Sequence, residues 1–518
     1  MTNPIACKTL VLILSWCVLA AWNSHARMPE RKPLTLEYCI GIALNESLDA
    51  REAANRFMTD YVEYKLYKIS RLPVFSLQAT PLQYNSSYTQ RYDFNENIDI
   101  YRRQNSLYSS LGINIKQNLA FTGGTLSLDT NLDYLNNTSA NSYSQFSSIP
   151  IRIGYNQSLF GFNRFKWDKK LKPLKYRIAE KQYLYTLETI VEKTASYFFD
   201  YAIAQKEYEM AMENMLSADT LYMSGTEHDR ISAISPADIN ILYLDRQNAK
   251  NSVKTAKAAV DRAGRALAAF LGIESMSFSD TGVKLPVEVK QLDINYDNVI
   301  AIAMENNPQE LMNEQTLLQA EMDLRRTKRE SGFNANISAS IGFNQIGARF
   351  TDVYNNLSRQ SVFGINISVP IFDWGDRKGR ISIADNNMKS AELSVTRNRR
   401  DLKSELETII DEITIYREMI IDSEEILDLA ESAYEITKRR FLAGKSDTNT
   451  LTLALSRKTE AMRNYLSLLK NYWSAYYKIR RLTLYDFENR KQLSVSHENL
   501  ISAYGQKHRR ARVTAPDI

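Results

Sequence analysis

Catalysis needs side chains that attack, carry a proton or hold an ion, and this chain has few of them: 518 residues with four histidines and three cysteines. His228 falls on a turn between long helices and His497 and His508 fall in the last stretch, so no nucleophile and base pair or metal cluster can be assembled. The sequence therefore predicts no enzyme, no cofactor and no metal. Tyr472, Trp473, Tyr476 and Tyr477 could form a ligand cage, but their helical spacing favours core packing. The polar residues with a task in view sit at two turns. Arg230, Ser235, Pro236 and Asp238 flank one; Arg440, Gly444, Lys445, Asp447 and Thr450 flank the other. Their chemistry is that of helix caps and of an exposed contact surface.

Charge excludes a further class. Lys and Arg number 65 against 60 Asp and Glu, a formal +5, and much of the excess lies in Lys507-His508-Arg509-Arg510-Ala511-Arg512. No basic run with interleaved aromatics recurs on the body of the chain, so the footprint of a nucleic-acid groove is missing. Residues 1–26 read as a cleaved secretory leader. Lys8 precedes an apolar run from Thr9 to Trp22, too short to span a bilayer, and Ser24-His25-Ala26 offers a small-residue cleavage site. Cys17 follows the bulky Trp16, which argues against a lipid anchor. Once the leader is gone Cys39 stands alone, so stability must come from packing and not from an internal disulfide.

The elements that must position those turns are of two kinds. In Ala335-Asn336-Ile337-Ser338-Ala339-Ser340-Ile341-Gly342-Phe343-Asn344 every odd residue is apolar and every even one polar or Gly. Phe363 to Ile371 alternates likewise, over about the ~9–11 residues of a transmembrane strand. Shorter alternations occur at 75–79, 111–115, 126–130 and 151–155, with a turn signal at Phe121-Thr122-Gly123-Gly124. A soluble sandwich with one wet face would read the same way.

The second kind is helical. Ile381, Ala384, Met388, Ala391, Val395, Leu402, Leu406, Ile409, Ile413, Tyr416, Ile420, Leu427, Ala430, Tyr434 and Phe441 recur near every three and a half residues, which at ~1.5 Å per residue predicts a helix of about 90 Å packed along a coiled seam. Leu184 to Tyr222 has the same period. Each helix gains a returning partner after one of the two turns, giving two antiparallel coiled-coil hairpins. The polar residues Gln205 and Asn398 interrupt the seams.

The chain also echoes itself. A shift of 260 aligns Ile40, Ala43 and Leu44 with Ile300, Ala303 and Met304, and a shift of 210 aligns Gly154, Asn156 and Ser158 with Gly364, Asn366 and Ser368. The expected organisation is a leader at 1–26, a first repeat at 27–290 (strands about 73–160, long helices about 175–272), a second at 291–486 (strands about 334–372, long helices about 380–485) and a basic tail at 487–518. The first copy has roughly fifty more residues, mainly between Tyr84 and Ile151, read either as a surface loop or as added strands. A lipid-embedded sheet must close, and closure takes at least ~8 strands where one chain offers about four to six. Membrane strands therefore require several chains to pool them.

In these features the sequence resembles the outer-membrane efflux protein family, the TolC-like ducts. The resembling segments are Ala303-Met304-Glu305-Asn306-Asn307-Pro308 with its echo at Ala43-Leu44-Asn45, Gln157-Ser158-Leu159-Phe160, Val369-Pro370-Ile371-Phe372-Asp373-Trp374-Gly375, and Arg440-Phe441 with Gly444. The resemblance spans about Leu34 to Leu484. It implies a membrane α+β fold, in which an outer-membrane β-barrel built by a homotrimer continues as a periplasmic α-helical coiled-coil barrel in a Gram-negative envelope. It implies a passive exit duct of a tripartite efflux or type I secretion system. The partners would be a periplasmic adaptor (membrane fusion) protein, an inner-membrane RND, ABC or MFS pump, and outer-membrane lipid. The two turns would be the docking tips and the gate. Thr450 stands where the resemblance leads one to expect a gating Asp, and added strands would exceed the usual twelve. The competing reading is a non-transporting coiled-coil protein of the envelope.

Overall fold

The computed structural model describes residues 33–93, 97–138, 142–230, 235–273, 282–289, 291–292, 294–443, 445–495 and 500–502. The leader, Gly444 and the basic run at 507–512 lie outside them. In chain order the elements are α1 (Leu36–Glu46), α2 (Leu48–Ile69), β1 (Val74–Asp93), β2 (Ile98–Asn118), β3 (Thr125–Asn137), β4 (Tyr143–Ser158), α3 (Arg164–Arg230) and α4 (Pro236–Leu271). Then follow α5 (Tyr296–Asn306), α6 (Pro308–Glu330), β5 (Asn334–Gly347), a 3-10 turn at Asp352–Tyr354, β6 (Ser358–Ser368), α7 (Asp376–Leu442), α8 (Thr448–Thr483), β7 (Tyr485–Asp486) and β8 (Lys491–Gln492).

The helices before and after each strand set have parallel lengths: 11, 22, 67 and 36 residues for α1 to α4, and 11, 23, 67 and 36 for α5 to α8. The 67-residue helices are each about 100 Å long at ~1.5 Å per residue. Helix α3 begins at Arg164 and runs through Pro173, earlier than the seam pattern alone suggests. Proline lacks the N–H for one helical hydrogen bond, so the pattern weakens there even though the helix continues.

The chain divides into two compact units, one made of residues up to Ala53, Thr186–Val299 and Leu406–Leu493, the other of Ala54–Tyr185, Ile300–Glu405 and the residues after Leu493. In the first unit the predicted α7 seam is the core. Leu406, Ile409, Ile413, Ile420, Leu427, Tyr434 and Phe441 are buried, as are Phe198, Tyr201, Leu267 and Leu469 of the other helices. Helix α8 runs antiparallel to α3, its cations meeting α3 acids along its length. Lys458 pairs with Glu213 (3.2 Å), Arg463 with Glu207 (2.9 Å), Lys470 with Asp200 (2.5 Å), Arg481 with Glu192 (2.6 Å) and Arg480 with Glu188 (2.8 Å). From Lys458 to Arg480 the α8 numbers rise as the α3 numbers fall, which is the antiparallel register of two packed helices, and Arg481 reaches one turn back to Glu192.

The aromatic run is core, as its spacing suggests. Tyr472, Tyr476 and Tyr477 are buried, and the Trp473 indole donates to the Pro286 carbonyl (3.0 Å). The Tyr476 hydroxyl and the Arg480 guanidinium both reach Asp486, at 3.2 and 3.4 Å. Residues just after the second hairpin are therefore structured: Phe487 is buried and Lys491–Gln492 pair with Tyr485–Asp486. Cys39 is fully buried, and burial together with the nearby Glu37 pushes its thiol up to about 12. A thiol held protonated in the core is inert.

The second unit contains a six-stranded antiparallel meander in the order β1-β2-β3-β4-β5-β6. The extra residues of the first half are the strands β2 and β3. In the same unit Phe57, Met58 and Ala179 form a small core, against which Tyr61, Tyr176, Tyr183, Leu500 and Ile501 pack. The seam residue Asn398 is satisfied here: its amide donates to the buried Asn313 (2.9 Å), while Arg399 forks onto both carboxylate oxygens of Glu310. Gln205, in the first unit, accepts from the Val283 amide (3.2 Å). Asn398 ties two helices together through its bond, whereas Gln205 holds the segment that follows α4.

Candidate functional site: the sheet faces and the helix tips

Alternation along each strand sorts the sheet into an apolar face and a polar one, and the register aligns them across all six strands. One row reads Phe75, Ile115, Leu128, Ile153, Ile341 and Ser361; the adjoining row on the other face reads Ser76, Asn114, Asp129, Arg152, Gly342 and Gln360. The apolar row is left bare. Phe75 is 70% exposed, Ile153 46% and Ile341 46%, and Phe363, Ile365 and Ile367 on β6 are exposed as well. A soluble sandwich would bury such a face against a second layer. Among the described residues the only other sheet is the two-residue pair β7 and β8. An apolar belt of this extent is unfavourable in water and is suited to contact with lipid or another apolar surface.

The polar face carries paired charge. Arg152 lies 3.6 Å from Asp129, which also accepts from the Asn114 amide, and Asp133 accepts from the Tyr108 hydroxyl (2.7 Å). Such a face belongs against water. Aromatic side chains gather at both ends of the sheet. Phe146 contacts Tyr134 and Phe350 at one end; at the other Phe160 contacts Phe333 and Phe372 contacts Trp374, which is 90% exposed. This is the placement of interfacial girdles. Among the described residues no helix is long and apolar enough to cross a membrane. Among the described residues the outer edges of β1 and β6 have no partner strand.

The turn residues singled out from sequence come together as two helix caps. Ser235 accepts from the Asp238 amide (3.2 Å) and donates its hydroxyl to the Asp238 carboxylate (2.7 Å), with Pro236 at the first helical position of α4. At the second tip the same pair is built with its members exchanged. Asp447 accepts from the Thr450 amide (2.8 Å) and from the Thr450 hydroxyl (2.7 Å). The Thr450 hydroxyl and then its amide hold the Asp447 carboxyl below the usual range. Thr450 is thus committed to a cap. The Lys445 amide donates to the Arg440 carbonyl (2.8 Å), closing the end of α7. Ser235, Pro236, Arg440, Lys445, Asp447 and Thr450 are exposed; Arg230 ends α3, and Gly444 lies outside the described residues.

Sequence reasoning missed what lies beneath the tips. Leu221 of α3, Leu242 of α4, Tyr434 and Phe441 of α7 and Leu451 of α8 form one core, so the two hairpins are joined near their tips. Lys438 and Lys458 lie over the Tyr434 ring, at 5.6 and 5.3 Å. A cavity of about 290 Å³ opens beside this core, lined by Asp245, Thr452 and Arg463 among others. Burial pushes the Asp245 carboxyl up, against a Thr452 hydrogen bond that draws it down. The α7 stripe that sequence assigned to the core has a companion facing outward: Ile415, Met419, Ile426, Leu429 and Ile436, all 42–64% exposed at heptad-like intervals. Its signal was present but overlapped the buried stripe.

Comparison with known proteins agrees with this geometry. Residues 300–483 match the family model described as outer membrane efflux protein. No curated protein matches the chain by sequence. Among solved structures the chain is similar to the Campylobacter jejuni CmeC outer membrane channel, with 14% identity and a TM-score of 0.62 over 90% of this chain and 88% of that one. It is similar to the Vibrio cholerae outer membrane protein VceC, with 13% identity and a TM-score of 0.61 over 86% and 95%. It is also similar to the Neisseria gonorrhoeae MtrE outer membrane channel in its open state, with 14% identity and a TM-score of 0.58 over 86% and 88%. At such identities the likeness is one of fold.

Proposed function

We propose that this chain, which carries an outer membrane efflux protein domain at 300–483 and the TolC-like fold around it, is one subunit of a homotrimeric outer-membrane exit duct. The observation that carries the reading is the bare apolar row across six strands whose two edges lack partners among the described residues. An open edge leaves backbone N–H and C=O groups unpaired, and in hydrocarbon each costs several kcal/mol, so the sheet closes only with other copies. The exposed α7 stripe supplies a second surface for the same copies, since heptad-spaced apolar residues call for a helical partner.

In this reading the helices stand in the periplasm. The duct passes substrates without chemistry of its own, and an inner-membrane pump delivers them through a periplasmic adaptor. The two tips serve as docking and gate, with Arg230, Ser235, Pro236, Asp238, Arg440, Gly444, Lys445, Asp447 and Thr450 as the contact residues. Exchange of the hydroxyl and the carboxylate between the caps places an acid on α4 at one tip and in the turn at the other. The gate here is accordingly a pair of capped turns rather than one ring of acids at position 450. The experiment is native mass of the complex extracted in mild detergent from outer membranes, with export measured in parallel for a variant lacking 444–450. A three-chain mass with export lost in an assembled deletion supports duct and docking tip together. A monomer, or recovery in the soluble periplasm, leaves the envelope coiled-coil reading. Export retained by the deletion removes the tip assignment alone.

A further inference from the structure

We propose that the outer-membrane wall has eighteen strands, six from each of three copies, and that its mouth admits a partly folded polypeptide or helical hairpin rather than only small solutes. The inference rests on the trimeric duct reading and adds to it the width of the wall and hence a class of cargo.

The point to decide is whether β2 and β3 belong to the wall or decorate it. They pair with each other without a break from Ser106 with Asn137 to Asn118 with Thr125, and they stand between β1 and β4. That register is longer than the ~9–11 residues a tilted strand needs to cross a bilayer. Both strands also keep the parity of the sheet: Leu111, Ile113 and Ile115 of β2 and Leu126 and Leu128 of β3 lie on the apolar face in line with Leu77 and Ile153. Asn114, Lys116, Ser127 and Asp129 lie on the polar face. A surface hairpin projecting into water has no need of such a face.

The turn of the inserted hairpin is seated at the end of the sheet where α2 enters and α3 leaves. Asn163 donates to the Ala120 carbonyl (3.1 Å), Gln157 to the Thr122 carbonyl (3.0 Å) and Gln117 to the Arg71 carbonyl (2.9 Å). Gly123 takes a φ of +81°, and a Cβ there would come within 2.9 Å of the Asn163 side chain. The turn is therefore built into the base of the wall. If β2 and β3 swung out, β1 would lose its partner strand, β4 one of its two, and Asp129 would leave Arg152.

Strand number fixes width. At ~4.8 Å between strands and a tilt of ~40°, eighteen strands form a ring about 36 Å across at the backbone and twelve form one of about 24 Å. Side chains occupy ~5 Å on each side, half the spacing of packed sheets, leaving openings of about 26 and 14 Å. One helix with its side chains is ~10–12 Å wide, so the narrower ring passes a single helix and the wider one a helical pair.

The test uses the full chain. Imaging of the detergent-extracted complex counts copies and strands. In parallel, Asn114→Cys on the polar face and Ile113→Cys on the apolar face are exposed in intact cells to maleimide polymers of graded diameter. The periplasmic gate does not limit access from outside, and buried Cys39 gives no background. We expect three copies, eighteen strands, and labelling of Asn114→Cys by a polymer about 20 Å across, which the wider opening admits and the narrower one excludes; Ile113→Cys stays unlabelled. Three copies with twelve strands, β2 and β3 standing outside the ring, overturn the inference and leave the duct. Two copies with twelve strands overturn both the width and the trimer. Eighteen strands with labelling only by polymers below about 14 Å overturn the cargo class. No membrane complex overturns the duct itself.

Discussion

The seam between α3 and α8 and the sheet of β1 to β6 solve opposite problems. The seam is complete within one chain: five cations of α8 find five acids of the antiparallel α3, above a core in which Tyr472 and Ile479 are buried. The sheet is incomplete. Its polar face is internally bonded, yet among the described residues its apolar face is bare and both edges lack a partner strand. In the proposed duct the regions finished within the chain hold a subunit together, and the unfinished ones meet lipid on one face and further copies at the edges.

That contrast is most easily broken at the sheet. Ile341→Arg places a cation in the middle of the apolar face and is expected to cost about 2–4 kcal/mol at a bilayer midplane, with loss of the detergent-resistant complex from outer membranes. Its neighbour Ser340→Arg faces the polar side and should assemble. Equal loss for both would mean that the faces are misassigned. In the seam, the deepest pair is Arg480 with Glu188, whose side chain is 7% exposed. Burial already pushes the Glu188 carboxyl up despite the guanidinium beside it. Arg480→Met strands that acid and should cost about 3 kcal/mol in denaturant titration of the complex, with Glu188→Leu added in the same chain recovering most of the loss. No recovery would mean that Arg480 acts chiefly through Asp486.

Much of this was legible in the sequence because periodicity is a local signal. The α7 stripe from Leu406 to Phe441 and the odd-even alternation of 335–344 give element type, face and length directly. Two things were not legible. The residues between Tyr84 and Ile151 read equally as loop or strands, because Asn, Ser and Tyr dominate them and their apolar positions become regular only once Leu111 is set against Leu132 and Leu128 against Ile153. Cross-strand register is non-local. Capping residues are recognisable by type at both turns, but the exchange of hydroxyl and carboxylate between Ser235 with Asp238 and Asp447 with Thr450 becomes visible only in cap geometry. Sequence gave Thr450 as the residue in place of an acid; geometry gives it a partner.

Smaller effects test how far the closed seam depends on its visible charges. Lys458→Ala and Arg463→Ala each remove a partly solvated ion pair with Glu213 or Glu207. Solvent and salt screen such pairs, so each should cost only about 0.2–1 kcal/mol and less in high salt. A loss as large as that for Arg480→Met would mean that Lys458 acts by covering the Tyr434 ring, 5.3 Å away, and not by charge pairing.

The smallest effect is expected at the Asp447 cap. Its carboxyl is held below the usual range by Thr450, so the folded state favours the ionised form. That contribution is fully present above the unfolded carboxyl value of about 3.9 and is lost as pH falls through the lower folded value. Asn caps helices as well as Asp does but cannot titrate. Asp447→Asn should therefore match the parent chain in a melting curve at neutral pH and change less with acidification below about pH 4, where the parent loses its cap charge. If the two chains shift in parallel on acidification, the carboxylate contributes nothing as a charge and the turn is held by geometry alone. The tips would then differ only in which residue supplies the hydroxyl.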